Sequence, residues 1–473
     1  MTAIACVLLS AAGFYFSLGL GDLWWLAWLA PVPILWLAFG EAKPWPVFLS
    51  ALIAYGLGAT SILRAYAGLL PVPVLILAIG GPALTFAASV VGARRVRFAF
   101  GAVPAMFAFA ALWTAWDFLA AFSHEGGSVA TPAASQVGAP LLIQSASIFG
   151  FLAITFLLGF VSAGVALSLR FRTPVPVALA TAVFVLNAAY GYWRISTPPA
   201  GFIHVALIDS DDTMGPTRRA DRVAALKDIN AYAHQVSKLR NAHVSLIVLP
   251  ENIALIAPAW RNQAQALLSA SASEAHTTLV AGFNTNIDHA QRNISWAFSP
   301  GASEPVTYMK RQLVPVLESA IFTPGPGPKT VSDTIGLEIC KDMDFQAMVR
   351  SDEVTTKPVL LAVPAWDFDK DDWSHARVAI LRSVENGVPM ARTARDGLLT
   401  LNDRYGRIVA SARSKGEFSI HIGDLPLDGR GGQTLYDRIG DVLGWICIAL
   451  GAGLVTGSFV RRRMNPAEAP ATV

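Results

Sequence analysis

Three residues of this chain could share one reaction: Glu251, Lys310 and Cys340. Each closes an apolar run of strand type. Leu-Ile-Val-Leu-Pro precedes Glu251, Val-Thr-Tyr-Met precedes Lys310, and Gly-Leu-Glu-Ile precedes Cys340, so a strand end is expected at each. A base, a cation and a thiol are the parts needed for cysteine acyl chemistry. A free thiol has a pKa of about 8.5 and needs a base or a positive charge to attack near neutral pH. Glu251 could take the proton, Lys310 could steady negative charge, and the backbone N–H of Lys341 could complete an oxyanion hole. Taken singly, each residue has an ordinary reading: an exposed loop acid, a strand-end lysine, an inert buried cysteine. Their separations of 59 and 30 residues do not bring them together, so the expectation rests on placement at strand ends.

Competing chemistries lack their motifs. There is no Gly-x-Ser-x-Gly, no His-Glu-x-x-His and no Cys-x-x-Cys, so neither a serine elbow nor a zinc site is expected. No cofactor and no metal are called for. His375 and Arg377 fall at a helix start, where solvated or capping roles are ordinary. Thr-Pro-Gly-Pro-Gly-Pro-Lys-Thr (323–330) is expected to be an irregular loop and lacks the Gly-Lys-Thr order of a phosphate loop.

The elements that must position the three residues divide by composition. The chain has 473 residues, is 53% hydrophobic and carries a net charge of +3. Its mean hydropathy is +0.47, too apolar for an ordinary soluble protein. Residues 1–200 hold only 8 of 36 Lys/Arg and 4 of 33 Asp/Glu. The small net charge gives no reason to expect nucleic acid. Cys340 is the lone cysteine of the polar part, which excludes a disulfide there.

A membrane span needs about 20 apolar residues. Seven are expected before the polar part, near 2–20, 23–40, 46–68, 71–93, 98–122, 143–168 and 174–193, and one after it, near 440–460. The first reads as a retained anchor. Basic residues mark the cytoplasmic side. With this count Lys43, Arg94, Arg95, Arg97, Arg170, Arg172 and Arg461–Arg463 fall on one side, which turns the polar part outward. Tryptophans near span ends suit an aromatic belt. The loop 123–142, with His124 and Glu125, is either a lip near the site or a plain connector. Asp117, an acid in or near a span, is either functional or a packing group.

The polar part, 201–425, alternates strand and helix patterns. Helices are expected near 217–240, 260–275 and 374–386. Strands are expected near 204–208, 244–249, 277–284, 293–299, 304–309, 335–340, 359–364, 389–394, 398–402, 407–412 and 417–423. Strand runs apolar on both faces indicate sheets covered by helices.

These residues bring a resemblance into view. Leu-Pro-Glu-Asn (249–252), Tyr-Met-Lys-Arg-Gln-Leu-Val-Pro-Val-Leu-Glu (308–318), Ile-Cys-Lys-Asp (339–342) and Ala-Ile-Leu-Arg-Ser-Val-Glu-Asn-Gly (379–387) are similar to the nitrilase (carbon–nitrogen hydrolase) superfamily. With spans on both sides, and with Gln-Ser-Ala-Ser-Ile-Phe-Gly (144–150), the chain resembles its membrane branch, the apolipoprotein N-acyltransferase family. The resemblance implies an αββα sandwich on a polytopic helical membrane protein of about 8 spans. It divides the chain into a bundle at 1–196, an extracytoplasmic catalytic domain at 201–425, a C-terminal span at 438–462 and a cytoplasmic tail at 463–473. It implies Glu251 as general base, Lys310 as oxyanion-stabilising cation, Cys340 as nucleophile and Glu318 as a supporting acid. Trp366, Asp367 and His375 become candidates for contact with substrate.

The implied reaction is ping-pong. A phospholipid acyl chain passes to Cys340 as a thioester and then to the α-amine of a lipid-modified N-terminal cysteine on a lipoprotein. The expected setting is a bacterial inner membrane with the domain facing the periplasm, and the expected state is a monomer. Lys341, Leu317 and Ala365-Trp366-Asp367 depart from the family's usual residues on the acceptor side, which leaves open a relative that acylates another amine. A membrane-tethered amidase or hydrolase that uses water is the second reading, and a non-enzymatic transporter with a receptor domain the third. Scarce intramembrane charge disfavours the third.

Overall fold

The computed structural model describes residues 2–122, 126–212, 221–302, 304–428 and 433–464, apart from the side chains of Arg462 and Arg463. The loop residues His124 and Glu125 lie outside them. The described residues fall into two compact units. One draws on Met1–Ser123, Ala130–Ser196 and Ile439–Val473, the other on His124–Val129 and Thr197–Arg438.

The first unit is helical. Among the described residues six helices are long and apolar enough to cross a membrane: Pro44–Tyr66, Val72–Phe100, Ala102–Ala121, Leu152–Phe171, Val175–Ile195 and Val442–Arg461. This is a multi-pass membrane protein. The first two expected spans are shorter, Ala3–Ser17 and Trp24–Ala38. A helix of 15 residues reaches about 22 Å, short of the roughly 30 Å hydrocarbon layer. The second is broken where Pro31 follows the 3-10 turn Trp24–Trp28, because proline cannot donate to the preceding turn. The sixth expected span also begins late. Residues 144–150 form turns and the short helix Ala146–Phe149, and the long helix starts at Leu152.

Within this unit Arg94, Arg95, Arg97, Arg170 and Arg461 gather at one end, whereas Arg64 bonds to Ser61 and Leu20 and Arg194 to Gln144. Arg97 lies 3.8 Å from Glu41, Arg94 donates to the Ala42 carbonyl, Arg170 packs over Trp36, and Arg95 donates to Ser458 at 3.0 Å. Arg461 stacks on Phe100. Asp117 accepts from Thr131 at 2.8 Å and from Thr155 at 2.6 Å. Its oxygen is thereby engaged by neighbouring hydroxyls, as a packing acid requires.

The second unit is built on thirteen strands: β1 Gly201–Asp209, β2 Leu246–Val248, β3 Leu255–Ile256, β4 Thr278–Ile287, β5 Ala290–Phe298, β6 Val306–Met309, β7 Lys329–Val331, β8 Ile335–Leu337, β9 Leu360–Trp366, β10 Met390–Arg395, β11 Leu398–Asn402, β12 Ile408–Arg413 and β13 Ser419–Leu427. One sheet runs β13-β1-β2-β4-β5-β6, with β3 beside β4, and the other runs β12-β11-β10-β9-β8-β7. β1, β2 and β4 are parallel neighbours, as are β8, β9 and β10.

Strand alternation explains the layers. Val205, Leu207, Leu246, Val248 and Val280 point to a core shared with Leu337, Ile339, Leu360, Ala362 and Ala391 of the second sheet. Their chain neighbours Ala206, Ile208, Ile247, Leu279 and Ala281 point the other way, onto Ile229, Val236, Ala264 and Leu268 of helices Arg222–Lys238 and Arg261–Glu274. Both faces of these strands are buried, which is why they read as continuous apolar runs. Helix Asp372–Asn386 packs on β11 and on helix Gln346–Thr356 at the outer side of the second sheet. The layers are α, β, β, α. The Pro/Gly segment 323–330 is irregular up to Lys329, where β7 begins.

Candidate active site

Glu251 follows β2 by three residues, and Lys310 directly follows β6. Glu251 is brought inward by close backbone packing. Its N–H donates to the Ala365 carbonyl of the second sheet at 3.2 Å, and a side chain on Gly282 would meet its Cα at 2.5 Å. Lys310 donates from its backbone to Asn293 of β5 at 2.9 Å.

Cys340 departs from the expected strand end. β8 stops at Leu337, and Cys340 opens a 3-10 turn, Cys340–Asp344, with φ of 44°. A non-glycine residue in this left-handed region is held there by its surroundings. Asp342 supplies part of that hold. Its carboxylate accepts from the N–H groups of Ile339, Arg311 and Gln312 at 3.1, 3.1 and 2.8 Å and from the Tyr308 hydroxyl at 2.7 Å. The Cys340 thiol donates to the Trp366 carbonyl at 3.5 Å.

Glu251 and Lys310 meet in a buried cluster, and the half-buried Cys340 thiol lies within their electrostatic reach. Lys310 Nζ lies 2.8 Å from Glu251 Oε1 and 2.8 Å from Glu318 Oε2, and the lysine and Glu251 side chains are 1% and 2% exposed. Glu251 and Lys310 both act electrostatically on the Cys340 thiol. Burial raises the Glu251 pKa above its usual range, and Glu318 adds to the rise while Lys310 opposes it. Burial pushes the Cys340 thiol well up, and Glu251 pushes it further against the pull of Lys310. Burial works against the Lys310 ammonium, but the two carboxylates outweigh it and keep the lysine charged. At rest the cluster therefore holds a protonated thiol beside a carboxylate made more basic than usual.

Glu318 reaches Lys310 because its segment folds back on itself. The Val314 N–H donates to Glu318 Oε2 at 2.8 Å, and the Glu318 N–H donates to the Val314 carbonyl at 2.8 Å. Val316, beside the unusual Leu317, adopts φ of 68°, an uncommon conformation for a β-branched residue.

The candidates for substrate contact fare differently. Asp367 is fully buried and committed to Arg392, at 2.5 and 3.1 Å, so it is a structural acid rather than a free binding group. Trp366 offers its carbonyl to Cys340 and its indole N–H to Asp396 at 2.7 Å. His375 is paired with Asp371 at 2.9 Å. Burial lowers its pKa, but Asp371 more than compensates and raises it to about 9. The Lys341 ammonium lies 3.3 Å from Asp344.

Asn293 was not foreseen from sequence. Its Nδ2 donates to Glu251 at 2.6 Å and to Glu318 at 3.0 Å, joining the two acids. The available signal was a polar residue at the head of the mostly apolar run Asn-Ile-Ser-Trp-Ala-Phe (293–298) of β5.

Comparison with known proteins adds ancestry to this geometry. Residues 10–164 match the family model of the apolipoprotein N-acyltransferase N-terminal domain. Apolipoprotein N-acyltransferase of Geobacter metallireducens is 25% identical, across 93% of this chain and 91% of that one. The similarity to this apolipoprotein N-acyltransferase runs along nearly the whole chain. A second relative of that family, from Rickettsia prowazekii, is 22% identical over 57% of this chain and 60% of its own. Among solved structures, an amidase from Nesterenkonia sp. aligns at 19% identity and a TM-score of 0.40, covering 48% of this chain and 92% of that one. A carbon-nitrogen hydrolase from Helicobacter pylori aligns at 16% identity and a TM-score of 0.40, over 56% and 94%. The family match falls on the membrane unit, and the Geobacter relative extends through the sandwich unit as well.

Proposed function

We propose that this protein is an N-acyltransferase of a bacterial inner membrane, its sandwich unit on the periplasmic side. It moves an acyl chain from a phospholipid to the α-amine of the lipid-modified N-terminal cysteine of a lipoprotein. One observation carries the chemical part: Lys310, buried between Glu251 and Glu318, acts with Glu251 on the Cys340 thiol. The relatives' name supplies the reaction class, and the basic end of the bundle supports the orientation.

Glu251 takes the thiol proton as Cys340 Sγ attacks the ester carbonyl. Lys310 and the Lys341 N–H receive the developing oxyanion. Collapse of the adduct breaks the ester C–O bond, and the proton held on Glu251 goes to the departing lysophospholipid oxygen. The thioester then receives the amine, Glu251 takes the amine proton, and the thiolate leaves and is reprotonated. Both substrates are lipid-anchored, so spans that hold the site at the bilayer raise its effective concentration toward them.

The test uses the full chain in phospholipid vesicles carrying a labelled acyl chain. Wild type should acquire a hydroxylamine-sensitive label on Cys340, lost in Cys340→Ser, and should pass it to a diacylglyceryl-modified peptide. Labelled free fatty acid without amide product would identify a hydrolase instead. No label on wild type would remove the thioester.

A further inference from the structure

The turn that carries Cys340 ends at Asp344, and the support of its far end comes from a distant stretch of chain. Residues 126–129 belong to the sandwich unit, although the chain on both sides of 124–129 belongs to the membrane unit. Ser128 is 2% exposed. Its N–H donates to the Asp344 carbonyl at 2.7 Å, and its hydroxyl donates to the same carbonyl at 2.8 Å. The last carbonyls of a helical turn have no partner within the turn, so two donors aimed at one of them fix where it ends.

The hydroxyl is itself oriented. Arg382 Nη1 donates to Ser128 Oγ at 3.3 Å, which leaves the hydroxyl proton free to point at Asp344. Arg382 is in turn paired with Glu385 at 3.1 Å, and both side chains are fully buried on helix Asp372–Asn386. Gly127 makes the close approach possible. It has φ of 55°, and a Cβ there would stand 2.4 Å from the Asp344 oxygen. The segment can lie this near the turn only without a side chain at 127.

We infer that residues 126–129 brace the Cys340 turn, and that Ser128 is a positioning residue for the thiol and for the Lys341 N–H. The inference rests on the reading of Cys340 as nucleophile. The Asp342 carboxylate holds the front of the turn and Ser128 the back, so Cys340 keeps its left-handed φ between two fixed ends. Removing one end lets the turn relax without touching the acid, the lysine or the thiol. Small misplacements of a reacting atom cost rate rather than binding.

The experiment compares full-length wild type, Ser128→Ala and Ser128→Thr in vesicles. The acylation rate constant, the KM for phospholipid and the thermal midpoint are measured. So is the rate of Cys340 alkylation by iodoacetamide, read on the Cys340 peptide by mass spectrometry. Ser128→Ala should slow acylation about tenfold or more with KM unchanged, since a displaced nucleophile loses near-attack geometry. Its alkylation rate should also change several-fold, and Ser128→Thr should restore both. Wild-type acylation and alkylation in Ser128→Ala would overturn the brace, as would a Ser128→Thr as impaired as Ser128→Ala. Acyl transfer persisting in Cys340→Ser would instead overturn the nucleophile reading. The alkylation rates report on the brace in either case.

Discussion

Lys310 and Arg311 are chain neighbours, and each sits in a buried acidic cluster, yet the two clusters differ in kind. Lys310 stands between Glu251 and Glu318 with Asn293 and the Cys340 thiol at hand. Arg311 is clasped by Glu338 at 3.1 Å and by Asp352, and its Nε donates to the Tyr308 hydroxyl at 3.1 Å. The lysine cluster contains a proton that can move, between a thiol with a raised pKa and a carboxylate with a raised pKa. The arginine cluster also holds a buried acid of raised pKa, Glu338, but its cation gives up no proton. A guanidinium stays charged and its planar fork locks its carboxylates in place. Strand β6 is thus followed by two cations in consecutive positions, one held between Glu251 and Glu318 near the Cys340 thiol and one clasped by Glu338 and Asp352.

The largest expected effect separates the two. Lys310→Met should lower acyl transfer per folded molecule by about 10²–10³-fold or more, the range for loss of an oxyanion donor. Near-normal turnover in that variant would remove Lys310 from the chemistry. Arg311→Met should act on stability instead. Leaving Glu338 and Asp352 buried without their partner is worth about 3–5 kcal/mol of destabilisation, seen as a lowered thermal midpoint. If Arg311→Met melts like wild type but fails to turn over, the contrast between the neighbours breaks.

A pH profile sharpens the comparison. Glu251 must be ionised to act as base, and its pKa is raised, so acylation should fall with decreasing pH at a point above the ordinary carboxylate range. Asn293 stabilises the ionised form by its 2.6 Å bond. Asn293→Ala should therefore move that acid limb to higher pH, and a limb that stays in place would argue against Glu251 as base. His375 gives a smaller effect with the opposite dependence. Its folded pKa of about 9 lies above the unconstrained 6.5, so its contribution to stability is complete below 6.5 and is lost as pH rises through 9. The stability gap between wild type and His375→Gln should close over that window. The smallest effect belongs to Arg240, whose pair with Glu274 is open to solvent on both sides. Arg240→Ala should leave the thermal midpoint unchanged.

Much of this architecture could be read from residue order because its strands are buried on both faces. Val205–Ile208 and Leu246–Val248 are apolar without interruption, and the chemical residues follow such runs at once. What escaped reading did so for physical reasons. Helix Gln346–Thr356 buries Gln346, Asp352 and Glu353 along with Val349, so it lacks an apolar stripe. β3 and β7 have two and three residues, too few to show alternation. The left-handed Cys340 looked like the end of a strand because φ leaves no mark in composition. The pairing of Asp367 with Arg392 left no local mark, because the two stand 25 positions apart. In the bundle, hydropathy located the six long helices, and the first two apolar runs fold as the shorter apolar helices Ala3–Ser17 and Trp24–Ala38.

The two sheets are tied to each other at the site as well as through their apolar core. The Glu251 N–H reaches the Ala365 carbonyl, and the Thr393 hydroxyl reaches the Val248 carbonyl at 2.8 Å. These polar crosslinks resist shear at the seam where the base approaches the sulfur. Entry of the proposed lipid substrates would then call for movement at the rim, while the paired layers stay in register. Should heat or detergent slide one layer past the other, base and sulfur would part together, and activity would vanish in a single step ahead of general melting.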